Sequence, residues 1–281
     1  MVPNPNVVKR SKIKREIQVL ELLKGHPFIV TLYDYVVDPS TKTPSIVMEY
    51  VRNIEFRTLY PMLTKDNIRL YIWQILKGLE FAHSKGVVHR DIKPGNVLFD
   101  HQARRVKIAD WGLADFYLPK KNYNVRVASR YFKAPELLVG NGYYDYQLDI
   151  WSVGCMLGGM IFNREPFFKG ADNQDQLVKI AKLLGTDEIL EYCQKYGIKL
   201  DPYFDDKLIR YANTHLLFTD TFSFKKKPWE RLVNTTNEEL VDDRVFDLMS
   251  KMLKINHIER ITASEALLHP YFDPVRQEGL Q

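Results

Sequence analysis

Three short polar strings in a fixed order constrain this chain more than any other feature. The first is His89-Arg90-Asp91-Ile92-Lys93-Pro94-Gly95-Asn96. Asp110-Trp111-Gly112 follows, its aspartate fourteen residues after Asn96, and Ala134-Pro135-Glu136 closes the set. Any one of them is weak, because turn residues and charges recur by chance. Their order and spacing are a separate constraint, which a random run of surface charges does not meet. The residue types are those of a reactive site: carboxylates to move protons or hold a cation, with a lysine and a carboxamide close by in sequence.

The surrounding pattern supports a mixed fold. Residues 1–8 read as an irregular lead-in. Lys9, Arg10, Lys12, Lys14 and Arg15 then form a basic cluster opening a helix. Ile13, Ile17 and Leu20 fall at helical spacing, Glu16 lies on the same helix, and the pattern stops near Gly25. Residues 28–37 and 45–51 read as strands around the turn Asp38-Pro39-Ser40, and Arg105 to Ala109 as another. From Thr64, a plausible cap, the periodicity is helical, and residues 148–161 are apolar on nearly every side, as in a buried helix. Lys225-Lys226-Lys227-Pro228-Trp229 is a short basic loop. The division is uneven: residues 1–50 of helix plus strands, then a mostly helical body over 51–281.

Composition removes other classes. Of 281 residues, 45 % are hydrophobic and 27 % charged, which excludes a disordered tail, a fibre and a disulfide scaffold. Lys plus Arg exceeds Asp plus Glu by 40 to 35, a mild excess that argues solubility rather than nucleic-acid binding. Cys155 and Cys193 are the only cysteines, as expected in a reducing compartment. The apolar run Val153 to Phe162 is half the ~20 residues that span a bilayer, and no secretory signal is visible. Cytoplasm or nucleus is the expected location, with no membrane partner.

The three strings resemble the catalytic loop, metal-binding tripeptide and activation-segment end of the eukaryotic protein kinase family. Further strings are similar to the casein kinase II alpha group within it. These are Asp-Trp-Gly-Leu-Ala at 110–114, Tyr-Asn-Val-Arg-Val-Ala-Ser-Arg-Tyr-Phe-Lys at 123–133, Pro-Phe-Phe at 166–168, Leu-Gly-Thr-Asp at 184–187 and His-Pro-Tyr-Phe at 269–272. The likeness runs from about residue 9 to 275 and weakens over 201–240, where this chain looks longer. It implies an α+β, bilobal protein-kinase fold with a truncated small β lobe and a mostly helical large lobe. It also implies transfer of the ATP γ-phosphoryl group to Ser or Thr in acidic protein segments.

By the same resemblance, Asp91 is the base and Lys93 the phosphate contact, with Asn96 and Asp110 holding Mg2+. Glu16 would orient a phosphate-binding lysine. Met48 would stand at the back of the nucleotide pocket, Glu49 and Val51 on its hinge, and Leu98 on its floor, although plain core packing also explains such apolar residues. Arg260 would pair with Glu136 structurally. Arg126, Arg130 and Lys133, with Lys9 and Lys12, would attract carboxylates beyond the target hydroxyl. The N-terminal cluster reads equally as a solvated helix end or a nuclear-import or nucleic-acid patch, and Ser11 interrupts its lysines. Separate basic clusters without interleaved aromatics argue against direct nucleic-acid binding. Trp111 offers an indole N–H that could lock Asp110, or simply packs. Residues 113–133 hold Ser129 and no threonine, so threonine-phosphorylation switching is not expected. The group also accepts GTP and binds a regulatory beta subunit through the small lobe.

Two family parts are not found. No G-x-G-x-x-G precedes residue 50, and aligning Glu16 places the strand lysine near Pro3. Three explanations stand: a longer gene product, a naturally shortened and catalytically impaired scaffold, or a substitute lysine. The expected consequences are an unburied apolar surface on the strands of 28–51, weak beta-subunit binding, and slower phosphorylation than by a complete homologue.

Overall fold

The computed structural model describes residues 10–41, 43–204 and 224–277. Lys9 and residues 205–223 of the longer region lie outside these. In chain order the elements used below are α1 (Arg10–Leu22), β1 (Leu32–Val37), β2 (Pro44–Met48), α2 (Lys65–Ser84), β3 (Val87–Val88), β4 (Val97–Asp100), β5 (Arg105–Ile108), β6 (Asp115–Phe116), α3 (Gln147–Ile161), α4 (Asn173–Leu184), α5 (Asp187–Lys195), α6 (Asp243–Met252) and α7 (Ala263–Leu267). The chain forms two compact units, one ending at Pro119 and including the segment from Ala263 onward, the other running from Lys120 to Thr262. The fold is α+β: among the described residues every strand lies in the first unit, and the second is helix and loop.

In the first unit, α2 is set by its ends and its stripe. The Thr64 hydroxyl accepts from Asn67 N at 3.2 Å and the Asn67 side chain accepts from Thr64 N at 3.3 Å, closing a reciprocal cap. Ile68, Ile72, Ile75, Leu76 and Leu79 are then buried. A Cβ at Gly78 would lie 2.9 Å from Ile108 Cδ1, so the missing side chain is what lets α2 approach β5. β4 and β5 form an antiparallel hairpin with Val97 opposite Ile108, and β3 pairs with β6. α7 packs on α2.

β1 and β2 also pair antiparallel, from Leu32 opposite Met48 to Val37 opposite Pro44. Both are shorter than the sequence pattern suggests. Residues 28–30 leave the expected strand because their backbone bonds elsewhere: Ile108 N donates to Phe28 O and Val30 N to Ile108 O. The second strand stops at Met48, short of Val51. Apolar surface stands unburied on this pair: Tyr33, Tyr35, Val36, Val37, Val47 and Met48 are all exposed.

The second unit is built around α3, buried at every position from Leu148 to Ile161. Glycines again allow close contact, Gly154 against Leu253 and Gly158 against the Phe167 ring. Trp151 stacks on Phe168, ring centroids 6.1 Å apart. Asp172 and Asp242 cap α4 and α6 by accepting from the amides of Asp175 and Val245. Glu136 and Arg260, both fully buried, pair in bidentate fashion at 2.8 and 2.9 Å, as expected from the sequence. No helix among the described residues is long and apolar enough to cross a membrane.

Candidate active site

The first two polar strings occupy a tight set of turns in the first unit, and the third, Ala134-Pro135-Glu136, belongs to the second. Arg90 and Asp110 both have left-handed backbone, φ 67° and 56°. An aspartate tolerates that region better than most residues, whereas an arginine needs surrounding structure to hold it there. Arg90 has it: its Nε donates to Leu113 O at 2.7 Å and its Nη1 lies 3.4 Å from Asp115 Oδ2. Arg15 of α1 reaches the same carboxylate at 3.4 Å.

His89 is specified at both nitrogens. Nε2 faces the Ala109 carbonyl at 3.1 Å and so must donate; Nδ1 accepts from Asp91 N at 3.2 Å. The ring is therefore the neutral Nε2–H tautomer, and it fixes the peptide that carries Asp91. Trp111 packs edge-on against it, centroids 4.6 Å apart, and its indole N–H donates to Ile108 O at 3.4 Å. That bond spans the turn containing Asp110, so Trp111 fixes the aspartate through its backbone.

Asp91, Lys93 and Asn96 are brought together. Lys93 Nζ donates to Asp91 Oδ2 at 2.7 Å, and Asn96 Nδ2 donates to Asp91 O at 2.9 Å and to Oδ2 at 3.1 Å. Asp91 is nearly buried, 6 % exposed, so its orientation is held by both neighbours. Because Asn96 spends its amide N–H groups on Asp91, its Oδ1 is left as the acceptor that could face a cation. Ala109 N donates to Asn96 O at 2.8 Å, tying the residue before Asp110 to the same cluster.

Glu16 approaches from α1. A Cβ on Gly112 would meet Asp110 Oδ1 at 3.3 Å and Glu16 Oε2 at 3.4 Å, so the two carboxylates flank one glycine. Burial first, then the Asp110 charge, raise the Glu16 pKa above its ordinary value. Glu16 has no ion-pair partner among the described residues, so the lysine implied by the resemblance is not found there. Asp110 and Asn96, the residues expected to hold Mg2+, offer a carboxylate and a carboxamide oxygen, donors that suit a hard divalent cation. No group of three or more His, Cys, Asp or Glu gathers among the described residues, so such a cation would take remaining ligands from phosphate oxygens and water.

The other expected residues are dispersed. Leu98 in β4 and Val51 are half-buried, and Met48 is 40 % exposed, so no closed pocket wall forms around it. Glu49 turns out to be structural as well: Oε1 accepts from Thr31 N and from Lys107 Nζ, each at 2.6 Å. Burial alone would raise this carboxyl, but the Lys107 and Thr31 bonds outweigh it and hold its pKa below the ordinary value. Lys107 was not legible as a site residue; an alternating strand lysine gives no signal of its partner. Lys12 is exposed on α1. In the second unit Arg126 is exposed, Arg130 donates to Ala171 O, and Lys133 is buried with its ammonium on Val127 O.

The site thus holds a carboxylate positioned beside a lysine and a carboxamide, with a second carboxylate on the adjoining turn. A family model described as protein kinase domain matches residues 3–272. The chain belongs to the protein kinase family, whose members use ATP and Mg2+.

Proposed function

We propose that this chain is a serine/threonine protein kinase of the casein kinase II alpha type, acting on Ser or Thr in acidic protein segments. Residues 1–50 would form the small lobe and 51–281 the large one. The observation that carries the reading is the Asp91–Lys93–Asn96 cluster. When bound, Mg-ATP supplies the phosphoryl group and the cation that neutralises its charge. Asp91 takes the proton of the attacking hydroxyl. Lys93, now on Asp91, moves to the transferring phosphoryl group, and Asn96 holds Asp91 in place while offering Oδ1 to the cation along with Asp110. Arg126, exposed in the segment before Ala134-Pro135-Glu136, supports the acidic preference by charge complementarity; the burial of Lys133 makes it a weaker contributor. Lys9, Lys12 and Arg130 belong to the same proposal, as do GTP use, a cytoplasmic and nuclear location and a regulatory beta partner.

Glu16, without an ion-pair partner among the described residues, favours another reading, an impaired kinase-like scaffold. One experiment separates them: incubate the chain with Mg-ATP and a serine peptide carrying glutamates after the serine. Phosphoserine formation that Asp91→Asn abolishes supports the enzyme; Mg-ATP binding without transfer supports the scaffold.

A further inference from the structure

The basic loop Lys225-Lys226-Lys227 plays no part in the site above, yet its backbone is hydrogen-bonded at both ends to residues 183–186. Phe224 N donates to Thr186 Oγ1 at 3.0 Å, Thr186 N returns to Phe224 O at 2.9 Å, and Lys227 N donates to Leu183 O at 2.9 Å. Gly185 makes this seating possible: its φ is +99°, and a Cβ there would meet Lys226 N at 3.3 Å and Phe224 O at 3.4 Å. At the far end Trp229 is buried, with its indole N–H on Ser250 Oγ at 2.7 Å.

The side chains are left outward. All three lysines are exposed. Lys182 adds a fourth ammonium, 5.7 Å from the Phe224 ring. Against these stands one paired carboxylate, Glu188, 3.0 Å from Lys226. Lys225 and Lys227 have no ion pair among the described residues, and Asp187, beside Glu188, and Glu230, three residues after Lys227, pair with none of them. Here the backbone is already ordered, so an anionic partner would not bear the cost of ordering it.

We propose that Lys225–Lys227 is a docking surface for an acidic protein segment lying apart from the phosphorylated residue. An acidic polypeptide fits better than nucleic acid, because the aromatic neighbours are not presented for base stacking: Trp229 is buried and Phe224 half-buried. The inference rests on the kinase reading only in making that segment part of a substrate; binding is measured without turnover.

The test compares two fluorescent peptides, a short acidic serine peptide and the same peptide extended by twelve Asp and Glu residues. Fluorescence polarisation on the full chain should show tighter binding of the extended peptide at low salt. Lys225→Glu/Lys227→Glu, confirmed folded by an unchanged melting curve, should weaken the extended peptide about 5- to 20-fold and leave the short one unaffected, with the difference shrinking in high salt. Persistence of the extended peptide's advantage in the variant overturns the proposal. So does an equal loss for both peptides, or a loss confined to a duplex DNA of matched charge. Turnover of the short peptide, read separately, reports on the kinase reading alone.

Discussion

Replacing Arg260 by methionine tests the buried ion pair of the second unit. A guanidinium has five N–H donors, and here each is used. Nε donates to Lys254 O at 3.0 Å; Nη1 to Glu136 Oε1 and Gln147 O, both at 2.8 Å; and Nη2 to Glu136 Oε2 at 2.9 Å and Ile255 O at 3.3 Å. The guanidinium also lies 5.1 Å from the Trp151 ring centroid. Both partner side chains are 0 % exposed. Arg260→Met therefore strands a buried carboxylate and three carbonyls in a place water does not reach. Removing one partner of such a pair costs about 3–5 kcal/mol. At roughly 2–4 °C per kcal/mol for a domain of this size, the melting temperature should fall by about 6–20 °C. The companion double variant, Arg260→Met with Glu136→Leu, removes the stranded charge and should recover most of the loss, since an apolar pair of similar volume is often no less stable. Urea unfolding of wild type and both variants measures this directly. A cost under about 1 kcal/mol for Arg260→Met, the level of a surface pair, or a double variant no more stable than the single, would refute a buried pair of this strength.

Other substitutions probe the site and the core. Asp91→Asn keeps the bonds of Asn96 but removes the base; phosphate transfer in a radiolabel assay should drop about 10²–10⁴-fold with little change in melting. Lys107→Met leaves the Glu49 carboxylate with one donor where it had two, and chemical denaturation should show a loss of about 1.5–3 kcal/mol that Lys107→Arg partly restores. The same variant should lose less stability on acidification: in wild type the depressed Glu49 pKa contributes stability that is present above the ordinary value of 4.5 and disappears as pH falls through the lower folded value. His257 behaves alike at higher pH. Burial foremost lowers its pKa below 6.5, so the unfolded chain takes up the proton first and stability declines as pH drops from about 6.5. Asp145, raised mainly by burial, acts in the opposite sense as acidification continues. A pH series of melting temperatures that His257→Gln does not flatten would contradict this.

Much of the site was legible because its parts are local. Asp91, Lys93 and Asn96 lie within six residues, and the turn that joins them brings their side chains together whatever packs around it. The Thr64 cap and the all-apolar helix at 148–161 are readable for the same reason: each depends on neighbours three or four positions away. The likeness of short strings extended this to Arg260 and Glu136, which local pattern alone could not have paired across 124 residues.

Residues 28–30 and Lys107 mark the limit of local pattern. Residues 28–30 are strand-like in type, yet the Phe28 carbonyl and the Val30 amide find the Ile108 amide and carbonyl. Lys107 is indistinguishable from any outward strand lysine until Glu49 arrives beside it. Lys133, a cation expected at the surface, is drawn inward by a carbonyl six residues away. Sequence alone thus set which chemical groups are present, their order, and the helices and turns that neighbouring residues dictate. Only the packed chain decided which strand edge is paired, which charge is buried and which lysines are left for solvent. Those outcomes depend on long-range approach of backbone and side chains, and a free energy shared between distant segments is not encoded in either one.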